Sequence, residues 1–474
     1  MRTPIRFLLA ISLSLIASVY SRAQTCGVRQ QEIHVEAPFK MPAIYIPVFS
    51  DKMFFITDFG AVEGGKVMVT EAIRKAILAC HDAGGGNVVI PKGQWLTGAI
   101  HLLSNVNLHL VEGAELTFSE RPEDYLPPVQ SSWEGLECFN YSPLIYSFDC
   151  TNVALTGNGT ITARLDIWKE WFNRPPAHLE ALKRLYTMAL KGEPVKDRQM
   201  ADGENHLRPQ FIQFNRCRNV LIEDVKIRNS PFWTIHLLLC DGVVIRRVDI
   251  KANGHNNDGV DPEMTRNVLI EDCRFDQGDD AISTKSGRDQ DGWRLNTPTE
   301  NIVIRRCEVL RGHELLAIGS ELSGGIRNVY AHDCMLRSDE NDKPMNLLFI
   351  KTNRGRGGFV EDIYFDDVTA NCVSRSVLGI ETDVGYQWSK LVPLAEERLT
   401  TIRRIFVKNI RIQETGIPIR IIGDARKPVQ DIFLENITVN RALGPLRKYE
   451  NVDKVHEVGI KVIKEVPAAA TPGA

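Results

Sequence analysis

After its first two dozen residues, this 474-residue chain has no apolar run long enough to cross a bilayer. It has no Cys-x-x-Cys pair, and none of its 10 cysteines stands at metal-type spacing from a histidine. That argues against redox or zinc chemistry at the cysteines. Neither charge dominates: 57 basic and 60 acidic residues give a net −3, which excludes a global electrostatic case for nucleic acid. The leucine–asparagine spacing of leucine-rich repeats is missing. What remains is the composition of an ordinary folded protein, 43% hydrophobic and 25% charged.

Arg2 and Arg6 precede the apolar stretch FLLAISLSLIASVY, and SRA at 21–23 reads as a cleavage site. This pattern predicts a secretory signal peptide over 1–23 and an exported protein, periplasmic or extracellular. An N-terminal extension is expected over 24–50, a single repeat domain over 51–445 and a tail over 446–474.

The chain repeats itself. NVLIEDVKI begins at Asn219, GVVIRRVDI at Gly242, NVLIEDCRF at Asn267 and NIVIRRCEV at Asn301. NVYAHDCML, DIYFDDVTA, RIFVKNIRI and DIFLENITV follow from Asn328, Asp362, Arg404 and Asp431. Alternation with period two marks short strands with one buried face, and a spacing of 20–40 residues marks one solenoid coil per repeat. A helical repeat would need a period near 3.6, which these blocks do not show. The expected fold is all-β, a right-handed parallel β-helix. Asn219, Asn267, Asn301 and Asn328 should stack at one turn, where Asn tolerates left-handed backbone. Cys273, Cys307 and Cys334 share a column with Val225, Val248, Val368, Ile410 and Ile437, which predicts inert packing. Helices are expected over Val69–Gly86, capping the open end, and over Pro175–Gly192, as an insertion beside the coils.

HNNDGVDPEM carries Asp258 and QGDDAISTKSG carries Asp279 and Asp280. Gly312-His313 and Lys351 follow later repeats. Alone, each segment is a good turn former. Falling on consecutive coils, they should gather on one face, with carboxyl groups roughly 6.5–9.5 Å apart, the window in which a water fits between an acid and a base. Crowded carboxylates also keep one proton near neutral pH, so one residue type supplies both acid and base. Adjacent Asp279 and Asp280 would face opposite ways on a flat strand, and Gly278 is expected to permit a bend.

NND (256–258), GDD (278–280), GHE (312–314) and FIK (349–351) occur in that order. With LRPQFIQF, NSPFWT and KTNRGRGG around them, the chain resembles glycoside hydrolase family 28, the polygalacturonase family, over roughly residues 50–440. The resemblance implies a metal-free, cofactor-free inverting glycosidase acting on a pectic polysaccharide or oligogalacturonide. It implies that Asp279 is the general acid and that Asp258 and Asp280 activate water. His313 would support the acid, and Lys351 would bind a uronate carboxylate. Phe349 and Glu314 depart from the usual Arg and Gly; Arg354 and Arg356 are candidates to compensate for the missing arginine. Trp133, Glu134 and Tyr141 are candidate sugar contacts, and Arg208 a candidate carboxylate contact. An exo-acting enzyme is expected, because the long N-terminal segments and the helical insertion can block a cleft. A rhamnogalacturonan hydrolase, a pectate lyase and a non-catalytic carbohydrate-binding solenoid are the alternatives.

Overall fold

The structure is a computed structural model that describes residues 28–202, 205–339, 342–385, 391–394 and 396–465. The expected signal peptide lies outside the described residues. No helix among those described is long and apolar enough to cross a membrane.

The chain winds into a right-handed parallel β-helix. A typical coil supplies three strands, as in Arg218–Glu223, Lys226–Arg228 and Ile235–Leu238. In later coils the first two merge into one long bent strand, such as Ile326–Leu336, Phe359–Cys372 and Thr401–Thr415. The corner between them is a left-handed residue in each coil, including Asp224, Arg247, Asp272, Arg306, Asp333 and Asn409. Short polar side chains and Gly tolerate that backbone at low cost, and the arginines sit there by virtue of tertiary stacking.

Identical rungs align identical side chains. Val220, Val243, Val268, Ile302, Val329, Ile363, Ile405 and Ile432 form one register column, all fully buried. Cys334, Val368, Ile410 and Ile437 are in register in a second column. The nine described cysteines are buried and free. Burial pushes the Cys307 thiol well above its ordinary value, so it packs as an apolar group.

The asparagine ladder forms with one break. Asn328 donates to Asn301 and Asn301 to Asn267, each at 3.0 Å, while Asn219 donates to Asn152 at 3.1 Å. Between the two runs stands Gly242 (φ +75°), which has no side chain to pass the bond on. Asn267 turns to Asp241 at 2.7 Å instead.

Helix α1 (Thr70–Asp82) buries Ala72, Ile73, Ala76, Ile77 and Cys80 over the first coil. Helices α2 (Asp166–Phe172) and α3 (Pro176–Leu190) form the insertion. Helix α3 starts at a proline, whose missing N–H costs nothing there, and packs Ala181, Leu182 and Leu185 on Trp133, Leu136 and Phe232. Helices α2 and α4 (Asp289–Leu295) were not legible as separate elements.

One departure from the sequence reading stands out. The region after 445 is no tail as far as Glu465: strands Arg447–Glu450, Val452–Val458 and Lys461–Glu465 pair in parallel with the preceding coil and complete another one. The alternation there is broken by charges on an end coil with one unpaired side, which hid it from pattern reading. The N-terminal strands Arg29–Ile33 and Ile44–Val48 pair antiparallel and cover an outer apolar column, Ala154, Leu221, Val244, Leu269 and Val303.

Candidate active site

Each catalytic candidate lies at an edge of one 11-stranded parallel sheet. Asp258 precedes the strand Val260–Glu263, Asp279 and Asp280 precede Ile282–Thr284, and His313 precedes Glu314–Ile318. Lys351 ends Asn346–Lys351. Backbone bonds tie these rungs together: Gly259 donates to the Asp280 carbonyl at 2.9 Å, Ala281 to that of Glu314 at 2.9 Å, and His313 to that of Asp279 at 2.9 Å. Rungs are about 4.8 Å apart, so residues up to about a hundred positions distant in the chain become neighbours.

Gly278 works differently from the expectation. Its φ is ordinary, but a Cβ there would lie 2.4 Å from the backbone N and O of Gly254 on the adjoining coil. It allows close approach of two coils rather than a left-handed bend. Asp279 accepts from the Asp280 backbone N–H at 3.0 Å, which holds the two side chains in a local turn.

Asp258, Asp279, Asp280, His313, Phe349 and Lys351 line one cleft of about 340 Å³. His313 Nδ1 lies 3.0 Å from Asp279 Oδ1. Burial alone would lower this imidazole, but the Asp279 bond and charge, with the Asp280 charge, raise it to about 9. The pair therefore carries one transferable proton at neutral pH. Lys351 Nζ sits 2.9 Å from Asp280 Oδ2. Burial would raise Asp280; Lys351 above all, with Lys285 behind it, overcomes this and holds Asp280 ionised. Asp258 is 3.3 Å from Lys285 Nζ, yet burial dominates and lifts it to about 7.

The sequence reading missed Lys285. It is buried, 3.4 Å from Asp261 and 3.9 Å from Glu321, with its ammonium 4.6 Å from the Trp233 ring centre. A lysine among small residues a few positions after two aspartates (DDAISTKSG) was the available signal, since a buried ammonium needs carboxylates. Two cleft cations, Arg174 and Arg375, were also missed, and neither has a carboxylate partner among the described residues. Arg174 lies in the α2–α3 turn with φ +52°, and nothing in the local sequence marks it.

Several expected sugar contacts lie elsewhere. Trp133 is buried, stacked on Phe232 at 4.3 Å between ring centres, because the hairpin that carries it folds down onto the sheet. Tyr141 is buried against Trp171. Arg208 is buried too; it donates to the carbonyls of Pro231 and His255 and to Asn256 Oδ1, so it braces the Asp258 loop and has no free face for a carboxylate. Arg356 is buried, paired with Asp289 at 2.7 Å and Glu321 at 3.4 Å. Arg354 pairs with Asp383 at 3.1 Å. Both arginines line a neighbouring cavity of about 300 Å³ and not the cleft, so neither stands in for the arginine absent at Phe349. Glu134 does line the cleft, at the tip of the hairpin Val129–Asn140.

That hairpin closes one end of the cleft. Glu134 (φ +42°) and Gly135 (φ +86°) make the tight turn. Its strands lie across the upstream part of the sheet: Gln130 O accepts from Tyr146 and Asn215, and Ser132 donates to Glu263 at 3.2 Å. Gln213, His236 and Glu263 are fully buried there. At the other end the sheet finishes in the exposed strand Arg447–Glu450.

Among the described residues, the donor atoms close enough to share an ion are those of Asp279, Asp280 and His313, within 4.8 Å of one another. His313 Nδ1 lies against Asp279 and Lys351 is seated on Asp280, so these carboxylate oxygens already have nitrogen partners.

The profile described as "Glycosyl hydrolases family 28" matches residues 187–460. The chain belongs to that family. As a family 28 glycoside hydrolase it is similar to a solved hyperthermoactive exopolygalacturonase from Thermotoga maritima, at 38% identity and a TM-score of 0.78, over 90% of this chain and 94% of that one. It is 29% identical to a probable polygalacturonase of Vitis vinifera over 82% of this chain and 74% of that protein. It is 26% identical to an exo-poly-alpha-D-galacturonosidase of Dickeya chrysanthemi over 80% of this chain, spanning 65% of that relative.

Proposed function

We propose that this family 28 hydrolase is exported and releases galacturonic acid from a chain end of pectin, with inversion at the anomeric carbon. The observation that carries the reading is a carboxylate-lined cleft with one end closed by the Val129–Asn140 hairpin. Two of the similar proteins, the Thermotoga maritima exopolygalacturonase and the Dickeya chrysanthemi exo-poly-alpha-D-galacturonosidase, support the same direction.

Asp279, the most accessible of the three aspartates at 18% side-chain exposure, donates the proton to the glycosidic oxygen as the C–O bond breaks. The His313–Asp279 pair holds that proton: imidazolium against carboxylate and imidazole against carboxylic acid differ only by transfer along their shared hydrogen bond. Ionised Asp280 accepts a proton from the attacking water, and Asp258 orients that water from the adjoining rung. Lys351, Arg174 and Arg375 supply positive charge to uronate carboxylates. Phe349, 7% exposed and packed beside Gly379 in the cleft wall, offers an apolar contact to a sugar ring.

Digestion of polygalacturonate and of short oligogalacturonides tests this. Galacturonic acid should appear from the first minutes with no ladder of intermediate oligomers, and NMR should show the inverted anomer first. An early ladder would refute exo action. Release from rhamnogalacturonan alone would favour the rival substrate that Phe349 allows.

A further inference from the structure

Glu314 is fully buried, one rung along from Asp280. Its Oε1 accepts from Asn346 Nδ2 at 2.9 Å. Its Oε2 has no donor, and Lys351 Nζ is 3.8 Å away. Asp280 Oδ2 takes Lys351, but Asp280 Oδ1 is buried and also lacks a donor. Two carboxyl groups within hydrogen-bond reach of each other on neighbouring rungs thus each carry an unmatched oxygen. One proton satisfies both, whereas two buried anions side by side would repel.

We propose that Glu314 stays a neutral carboxylic acid that donates its proton's hydrogen bond to Asp280, a positioning residue that keeps the water-activating carboxylate ionised and fixed. The inference rests on the reading of Asp280 given above. The charges around the pair agree with it. Asp280 is faced by Asp279 and Lys285 on its own rung, by Asp258 from the preceding rung, by His313 from the next and by Lys351 from the one after that. The two nearest cations favour an anion at Asp280. Glu314 is driven well above the usual carboxylate range by burial first and Asp280 second. One full negative charge across the two carboxyls matches the ammonium that bridges them, and a second would be left uncompensated.

Glu314→Gln tests this directly, because its amide can donate to Asp280 while its carbonyl accepts from Asn346. Turnover should stay within about threefold of the parent, with the acidic limb of the pH–rate profile in place. Glu314→Ala removes the donor: turnover should fall about tenfold or more, and the acidic limb should rise by about one pH unit as Asp280 becomes easier to protonate. The infrared difference between the parent and Glu314→Gln at neutral pH should contain the carbonyl band of one neutral carboxylic acid, beyond any band from Asp258 that both proteins share. Loss of activity in Glu314→Gln as deep as in Asp280→Asn would overturn the proposal, as would an Ala variant with an unshifted profile or absence of the infrared band. A fully active Asp280→Asn enzyme would instead bring down the reading of Asp280, an outcome the infrared measurement keeps separate.

Discussion

At the scale of single residues, the cleft is a proton inventory. His313 is raised to about 9 and Asp258 to about 7, while Asp280 is held ionised. Asp279→Asn removes the donor and should lower kcat by a factor of about 10²–10⁴, read as released reducing ends, with folding checked by circular dichroism. His313→Gln empties the proton store of the acid pair. The alkaline limb of kcat/KM, expected no higher than about pH 9, should then disappear or move. The same shifts bear on stability. Both groups bind protons more tightly folded than unfolded, so their contributions are full at low pH. Asp258's is lost as pH rises through about 7 and that of His313 as it rises through about 9. The free enzyme should therefore melt at a lower temperature at pH 9 than at pH 6, and Asp258→Asn should shrink that difference. An unchanged pH dependence of Tm in that variant would contradict the assignment.

Single elements decide what reaches those residues. The hairpin Val129–Asn140 turns on Gly135, where a Cβ would meet Arg288 Cβ and N at 2.8 Å in a left-handed backbone. Gly135→Ala should cost about 1–3 kcal/mol, seen as a lower melting temperature. By lifting the tip from the cleft it should also let short oligomers appear among the products. In the coils, Cys307→Val should be nearly neutral, since Val and Ile occupy the same column in other rungs. None of the nine described thiols should react with a thiol reagent until the protein is denatured.

The whole molecule is a stack in which each coil covers the edge of the one before. Helix α1 covers the first, and the strands after Pro445 form a further coil near the other end. Removing residues 446–474 should expose the paired edge of Val429–Ala442, lower Tm and promote aggregation, measurable by light scattering. Full stability of the truncated chain would show that coil to be dispensable.

The repeat, the β-helix, the two main helices and the grouping of Asp258, Asp279, Asp280, His313 and Lys351 were all legible in the linear chain. Alternation and coil spacing are local properties, and stacking converts them into position without further information. What the tertiary structure alone decided depends on which surface a non-repeating segment covers. Trp133 and Arg208 looked like ligand contacts because aromatic and cationic side chains often are. The hairpin and the insertion fold onto the sheet, and burial turned both residues into scaffold. The same burial turned Glu314 from an apparent extra charge into a neutral neighbour of Asp280, and brought Lys285, Arg174 and Arg375 to a site that no spacing in the sequence could assign them. Period sets a residue's rung and face; only packing sets its solvent, and for an ionisable group the solvent decides the charge.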